Sequence, residues 1–117
     1  MNTPVVKDAY SMIQQALSSI VPPCVAEQKE DYHYEVWAVK EGRHLVASVT
    51  KHNHSVTLEF SKEIPAYAMP KIFSEYMLLK MNDNRRMELH LVSNELHSDI
   101  REAIQALVRY YEEKGWY

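Results

Sequence analysis

Apolar and polar side chains alternate along residues 31–60, and this alternation predicts three β-strands joined by two tight turns. Residues 31–40 are dense in aromatic and β-branched side chains, which suit a pleated surface. Glu41-Gly42 follows, and glycine can supply the positive φ angle that a tight hairpin turn requires. The second predicted turn is His52-Asn53, because asparagine tolerates left-handed backbone geometry.

The two turns together predict one buried face of the sheet. Two-residue loops at 41–42 and 52–53 bring the same apolar residues to one side. The predicted pairs are Ala38 with Leu45, Val36 with Ala47, Tyr34 with Val49, Val49 with Val56, Ala47 with Leu58, and Leu45 with Phe60. A slip of one residue would move every one of these side chains to the other side. The agreement between two independent turns is the main argument for the fold.

The opposite face of these strands, which we call the open face, has a mixed chemistry. An antiparallel sheet commonly packs one face on a core and leaves the other wetter. Trp37 lies opposite Val46 in this register, and an exposed apolar patch usually marks an interaction surface. The alternative is that another segment of the chain folds across Trp37. The open face carries His33, Glu35, Trp37, Val39, His44, Val46, Ser48, Thr50, Ser55, Thr57 and Glu59.

Amphipathic helices are predicted at both ends of the chain. Apolar residues recur at helical spacing across residues 4–20, which begin with proline at the first helical position. Pro22-Pro23 end this helix, since the residue before a proline avoids the α region. The last helix starts at residues 93–94 or at 98–99, and Gly115 suits the position just beyond its end.

Between the strands and the last helix, the pattern predicts a short helix and one more strand. The short helix covers residues 70–80, and an Asn-Asp-Asn turn cluster follows at 82–84. Residues 86–92 alternate apolar and polar side chains, which predicts a half-buried fourth strand whose place in the sheet is left open. Residues 24–30 are predicted to be a polar connector, because they have no clear period.

The resulting order, α-β-β-β-α-β-α, predicts an α+β fold of two layers. The sheet is expected to be four-stranded and mainly antiparallel, with the terminal helices packed on one face as a two-layer sandwich. At 117 residues the chain is expected to form one domain, residues 1–117, with a hydrophobic core of its own.

Charge and composition narrow the classes of function. The formal net charge of −3 gives no electrostatic argument for a nucleic-acid partner. The longest apolar runs are far too short to span a membrane, and no charged-then-apolar leader precedes the first helix. The single cysteine, Cys24, cannot form an internal disulfide, which fits a reducing compartment. A cytoplasmic location is therefore expected.

Two stretches of the chain resemble a known family. Residues 51–60 (KHNHSVTLEF) resemble the central strand of the YdhG-like family of small bacterial domains, and residues 98–108 (SDIREAIQALV) resemble its closing helix. They cover under a quarter of the chain, and the predicted element order matches along its whole length. The family is built like frataxin, with helices at both ends packed on one face of an antiparallel sheet. The resemblance implies this fold and a binding or iron-handling role.

One alternative is therefore a metal-handling protein that binds iron or zinc. Imidazole is a common metal ligand, and the candidate ligands are His33, His52 and His54. Frataxin-type iron binding relies on an acidic ridge, whereas the first predicted helix here contains a single acidic residue, Asp8. The leading interpretation includes no cofactor.

A further alternative is a small enzyme, because a histidine beside a carboxylate can transfer a proton. The candidate pairs are His33 or His90 with Glu35 or Glu88. Nothing in the sequence identifies a nucleophile or an oxyanion hole.

The leading prediction is a non-enzymatic binding module whose open face receives a small ligand, a protein partner or a second copy of the chain. A homodimer is the simplest of these. The residues predicted to bind are Trp37, Glu35, His33, Val46, His44, Thr57 and His90.

Overall fold

The structure is a computed structural model that describes residues 9–52, 55–90 and 96–116. These residues form four helices and six strands. In chain order the elements are α1 (Ala9–Leu17), β1 (Cys24–Glu30), β2 (His33–Val39), β3 (Arg43–Lys51), β4 (Ser55–Phe60), α2 (Met69–Ile72), α3 (Glu75–Leu78), β5 (Met81–Asp83), β6 (Arg86–His90) and α4 (Leu96–Glu113).

The strands in this part of the chain form one antiparallel sheet in the order β1-β2-β3-β4-β6-β5. The prediction of an α+β fold with an antiparallel sheet is confirmed. The predicted count of four strands and the order α-β-β-β-α-β-α are wrong, because two further strands form the two edges of the sheet. One of them, β1, is largely polar, and the other, β5, is short. No helix within the described ranges is both long and apolar enough to cross a membrane.

The edge strand β1 occupies the residues that the sequence predicted as a polar connector. Cys24 and Ala26 are buried, but the second half of the strand is polar and exposed, so the alternation is too short to be recognised. Pairing with β2 and packing against α1 hold the strand in place. The side-chain carbonyl of Gln14 accepts a hydrogen bond from the backbone N–H of Ala26 at 3.1 Å.

The predicted fourth strand is β6, and it lies beside β4. Leu58 of β4 pairs with Met87 of β6, and both side chains are completely buried. The turn predicted at residues 82–84 begins only after Asp83, because the segment Met81–Asp83 is a second edge strand that pairs with β6. The carboxylate of Asp83 accepts a hydrogen bond from the N–H of Arg85 at 2.7 Å, which stabilises the turn between β5 and β6.

The helix predicted over residues 70–80 is two separate helical turns, α2 and α3. The first ends at Phe73, whose backbone is extended with φ −107° and ψ 146°. Ser74 then begins the second, because its hydroxyl accepts a hydrogen bond from the N–H of Met77 at 3.3 Å. Serine is a favoured N-cap residue, so this position starts a new helix rather than continuing the old one.

The register of β2 against β3 follows the prediction for half of its length. Tyr34 pairs with Val49 and Val36 with Ala47, as the first turn predicted. A bulge after Val36 then gives β3 one extra residue, which changes the remaining pairs. Trp37 pairs with Leu45 and Ala38 with His44, so the predicted pairs of Ala38 with Leu45 and Trp37 with Val46 are wrong.

The register of β3 against β4 differs from the prediction by two residues. The observed pairs are Val49 with Leu58 and Ala47 with Phe60, because Lys51 pairs with Val56 rather than with residue 54, and the N–H of His52 donates to the carbonyl of Ser55. A shift of two residues keeps every side chain on its own face. The buried face is therefore as predicted except at Leu45, which the bulge in β3 places opposite Trp37 on the open face, where it is only partly buried. The individual pairs across the second turn are wrong. The buried face, which we call the core face, consists of Tyr34, Val36, Ala38, Ala47, Val49, Val56, Leu58 and Phe60, all buried.

Helices α1 and α4 pack against each other and enclose the core with the sheet; α1 contacts β1, and α4 contacts β3 and β6. Helix α1 ends at Leu17, earlier than the predicted residue 20, and the predicted start at residue 4 lies outside the described residues. Helix α4 ends as predicted at Gly115, whose φ is +71°. The N–H groups of Gly115 and Trp116 bond to the carbonyls of Glu112 and Tyr111, which is the Schellman arrangement.

Candidate functional site

The open face contains the residues that alternate with the core face. Along β2, His33, Glu35 and Trp37 are partly exposed, and Val39 is exposed. Along β4, Thr57 is partly exposed and Glu59 is exposed. The charged side chains that form ion pairs on this face are between 23% and 55% exposed. Alternation along the strands thus leaves one side of the sheet accessible and rich in polar groups.

A chain of four charged side chains surrounds Trp37. The guanidinium of Arg43 lies over the indole ring, 4.7 Å from its centroid. A nitrogen of Arg43 is 3.2 Å from a carboxylate oxygen of Glu27, and Glu27 is 2.6 Å from the ammonium group of Lys29. Lys29 in turn lies 3.6 Å from Glu35. The pairing of β1 with β2 explains why these charges lie near Trp37. Trp37 pairs with Val25, and Glu35, two residues earlier in β2, pairs with Glu27.

The charges near Trp37 shift one another's ionisation. Hydrogen bonds from Lys29 and then Arg43 hold the pKa of the Glu27 carboxyl below its usual value. The hydrogen bond to Glu27 raises the pKa of Lys29. Both shifts favour the charged forms of Glu27 and Lys29.

The indole nitrogen of Trp37 is buried, although its ring is partly exposed. Within the described residues, no acceptor lies within hydrogen-bond distance of this N–H. A buried donor that lacks a partner costs about 1–3 kcal/mol, so most such donors in folded proteins are satisfied. The Trp37 N–H is therefore an unsatisfied group at the centre of the open face.

A second row of polar residues crosses the open face from His33 to Glu88. The side chain of His33 lies 3.3 Å from the hydroxyl of Thr50, which pairs with Thr57. His52 lies 3.0 Å from the hydroxyl of Thr57, and Thr57 pairs with Glu88 of β6. The two histidines are therefore hydrogen-bonded to threonines of neighbouring strands.

This row bears on the metal and enzyme alternatives. In residues 9–52, 55–90 and 96–116, no group of three or more histidine, cysteine or acidic side chains is placed to hold a metal ion. The predicted ligand His54 and the side chain of the predicted His90 lie outside the described part. His33 and Glu88 are three strand spacings apart, roughly 14 Å, which is too far for direct proton transfer. Both alternatives stay predictions.

Two of the predicted binding residues do not lie on the open face. Val46 is completely buried within the core, because the bulge in β3 takes it out of the alternation that the sequence predicted. His44 pairs with Ala38, and paired residues of an antiparallel ladder project to the same face. His44 is therefore on the side of the core face, where its Nε2–H donates to the carbonyl of Lys40 at 2.9 Å. Trp37, Glu35, His33 and Thr57 keep their predicted places.

A polar hollow that the sequence did not predict lies at the β4–β6 end of the open face. Its volume is about 390 Å³. Arg85 is anchored there by donating to the carbonyl of Phe60 at 3.2 and 3.3 Å. Arg86 lies 3.7 Å from Glu59 and 3.8 Å from Asp83, so its charge is already balanced. The adjacent arginines after an Asn-Asp-Asn turn were the signal in the sequence, with Asp83 as a local acidic neighbour, whereas Glu59 comes from β4 and Glu63 from the loop beyond it.

Comparison with protein-family models, with curated proteins and with solved structures found no match in any of the three. The resemblance to the YdhG-like family therefore stays a prediction. The functional argument depends on the geometry of the open face, and in particular on the surroundings of Trp37.

Proposed function

We propose that the protein is a non-enzymatic interaction module whose open face, centred on Trp37, binds a second copy of the chain. The observation that carries this proposal is the combination of a partly exposed indole, its unsatisfied N–H and the arginine that covers it. Tryptophan and arginine are the residue types most enriched at the energetic centres of protein interfaces. A binding partner can displace water from the exposed part of the ring and from the arginine that lies over it.

The balance of charges around Trp37 supports a second copy as the partner. Two acidic residues, Glu27 and Glu35, alternate with two basic residues, Lys29 and Arg43, so the patch has no net charge. A patch of this kind gives no preference to a strongly acidic or strongly basic partner. A two-fold interface needs a self-complementary surface, and here each cation of one copy can meet a carboxylate of the other.

The edge strand β1 is protected against pairing with another chain, which supports association through the open face rather than through this edge. An unpaired edge strand is a template for adding another strand. In β1 the N–H of Ala26 is already bonded to Gln14, and the exposed half of the strand contains Glu27, Lys29 and Glu30. These features oppose strand addition at β1, which favours association through the open face.

Sedimentation velocity over a range of protein concentrations tests the proposal. We expect a concentration-dependent dimer, and we expect Trp37→Ala to weaken its dissociation constant by about 30-fold, as for an interface hot spot. Tyr67→Ala is the matched control, because Tyr67 is an aromatic residue that is 72% exposed and lies outside the sheet. Circular dichroism establishes that both variants fold. A wild-type protein that stays monomeric at millimolar concentration would rule the proposal out.

A further inference from the structure

A groove beside α4 contains charged groups that the open face does not use. It lies between α2 and α4 and has a volume of about 140 Å³. Four of its residues occupy one side of α4, since they are three, four and seven positions from the first. The lining consists of Lys71, Ile72, Ala106, Arg109, Tyr110 and Glu113.

The two basic side chains of the groove are exceptional in this molecule. Every other lysine and arginine in the described ranges forms an ion pair, a hydrogen bond, a ring contact or another electrostatic contact. The side chains of Lys71 and Arg109 have none of these within those ranges, and both line the same groove. Unpaired cations that converge on one concave site are a common feature of anion recognition.

A second observation concerns Tyr110, which forms part of the groove wall. Tyr110 is only 7% exposed, and its ring packs edge-on against Trp116 with centroids 5.7 Å apart. Its hydroxyl is buried and has no hydrogen-bond partner among the residues that the structure describes. Buried hydroxyls are usually bonded, so this one is an unsatisfied polar group within a residue that lines the groove.

The lining specifies the chemical class of the ligand. Lys71 and Arg109 contribute two positive charges and Glu113 one negative charge, so one anionic group balances the site. A guanidinium matches a carboxylate with two parallel hydrogen bonds. Ile72 and Ala106 add apolar surface beside these charges, and the groove volume of about 140 Å³ suits a compact ligand. We infer that the groove binds a compact organic monoanion, with its carboxylate at Lys71 and Arg109 and its apolar body against Ile72 and Ala106.

Benzoate is a suitable probe, and amide NMR spectra recorded at low ionic strength give the location of binding. We expect saturable shifts at Ile72, Ala106, Arg109 and Tyr110, with a dissociation constant on the order of 1 mM. Benzyl alcohol has the same ring without the charge, and orthophosphate has charge without the apolar body. Both should bind at least about tenfold more weakly than benzoate. The inference is overturned if benzoate does not saturate, or if either control compound binds as tightly.

Matched variants separate the groove from a general effect of charge. Arg109→Gln should weaken benzoate binding by about tenfold or more, since it removes a charge-assisted hydrogen bond. Arg101→Gln removes the same charge from the same helix, where Arg101 donates to Ser19, and should leave the affinity unchanged. Equal weakening by the two variants would overturn the inference. The same titration on Trp37→Ala should be unaffected, so failure here is distinguishable from failure of the open-face dimer.

Discussion

The core face and the open face belong to the same β-strands, but their side chains are satisfied in different ways. On the core face, Val36, Val49 and Leu58 are completely removed from water and gain stability from burial alone. On the open face, charged groups lie beside Trp37 in pairs that solvent still reaches. Exposed ion pairs contribute a median of about 0–1 kcal/mol each. Stability is therefore concentrated on one face, which leaves the other free to bind.

The bulge after Val36 shows how one local irregularity moves residues between these two regions. It buries Val46 and brings Leu45 beside Trp37. The composition of the open face thus depends on a single extra residue in β3. Four predictions test the contrast between the two faces, and the first two compare a buried position with a matched exposed one.

The largest expected effect is at Phe60 of the core face. Phe60 is completely buried and stacks on Phe73, with ring centroids 5.7 Å apart. Phe60→Ala should lower the free energy of unfolding by about 3–5 kcal/mol, measured by urea denaturation. Glu59→Ala, one residue earlier on the exposed side of β4, should change it by less than about 0.5 kcal/mol. Similar losses in the two variants would refute the division between faces.

A smaller effect is expected at Val46, and it tests the bulge. Val46→Ala should cost roughly 2 kcal/mol, because it removes two completely buried methyl groups. If Val46 were on the open face, as the strand alternation predicted, the cost would be within about 0.5 kcal/mol. Val39→Ala is the matched control, because Val39 is 42% exposed on the neighbouring strand. Equal stabilities of the two variants would contradict the buried position of Val46.

Alkaline pH should reveal the burial of Cys24 at the edge of the core. Burial raises the pKa of the Cys24 thiol from its ordinary value of 9.0 to about 11. The unfolded chain then loses this proton first, so the free energy of unfolding should fall as pH rises from 9 towards 11. Cys24→Ala should lose this part of the decline, which denaturation at pH 8, 9 and 10 would measure. An identical pH slope in the variant and the wild type would count against a buried thiol.

The smallest effect is expected from the charges beside Trp37. The carboxyl of Glu27 should titrate below its ordinary pKa of 4.5, which carbon NMR can follow directly. Lys29→Gln and Arg43→Gln should each raise this pKa, and the former should raise it more. The stabilisation from Glu27 is present above pH 4.5 and is lost as pH falls through the lowered pKa. If neither substitution changes the pKa of Glu27, then its ion pairs with Lys29 and Arg43 are absent in solution.

Much of the fold could be predicted because its signals are local. The alternation of β2 and β4 identified the core-face residues, and the second loop could be misjudged by two positions without changing their side. The polar second half of β1 has no such signal, since its pairing with β2 rather than its own pattern makes it a strand. Similarly, Ser74 divides a helix that apolar periodicity alone predicted to be continuous.

The candidate site could be predicted only in part. Trp37 and Glu35 were identified from the open-face alternation, and both lie there. Arg43 of β3 covers the Trp37 ring, and Glu27 of β1 forms an ion pair with that arginine. Their roles depend on contacts between strands, and no periodicity within one strand encodes such contacts.

The sequence by itself determined which side chains of β2 and β4 face the core, because strand geometry forces successive side chains to opposite sides. It also determined the end of α4 at Gly115, since a positive φ angle there depends only on the absence of a side chain. The tertiary structure alone decided the edge strands, the burial of Val46 and the convergence of Lys71 with Arg109. These features arise from pairing and packing between segments far apart in the chain, and their energies depend on neighbours that no local pattern contains.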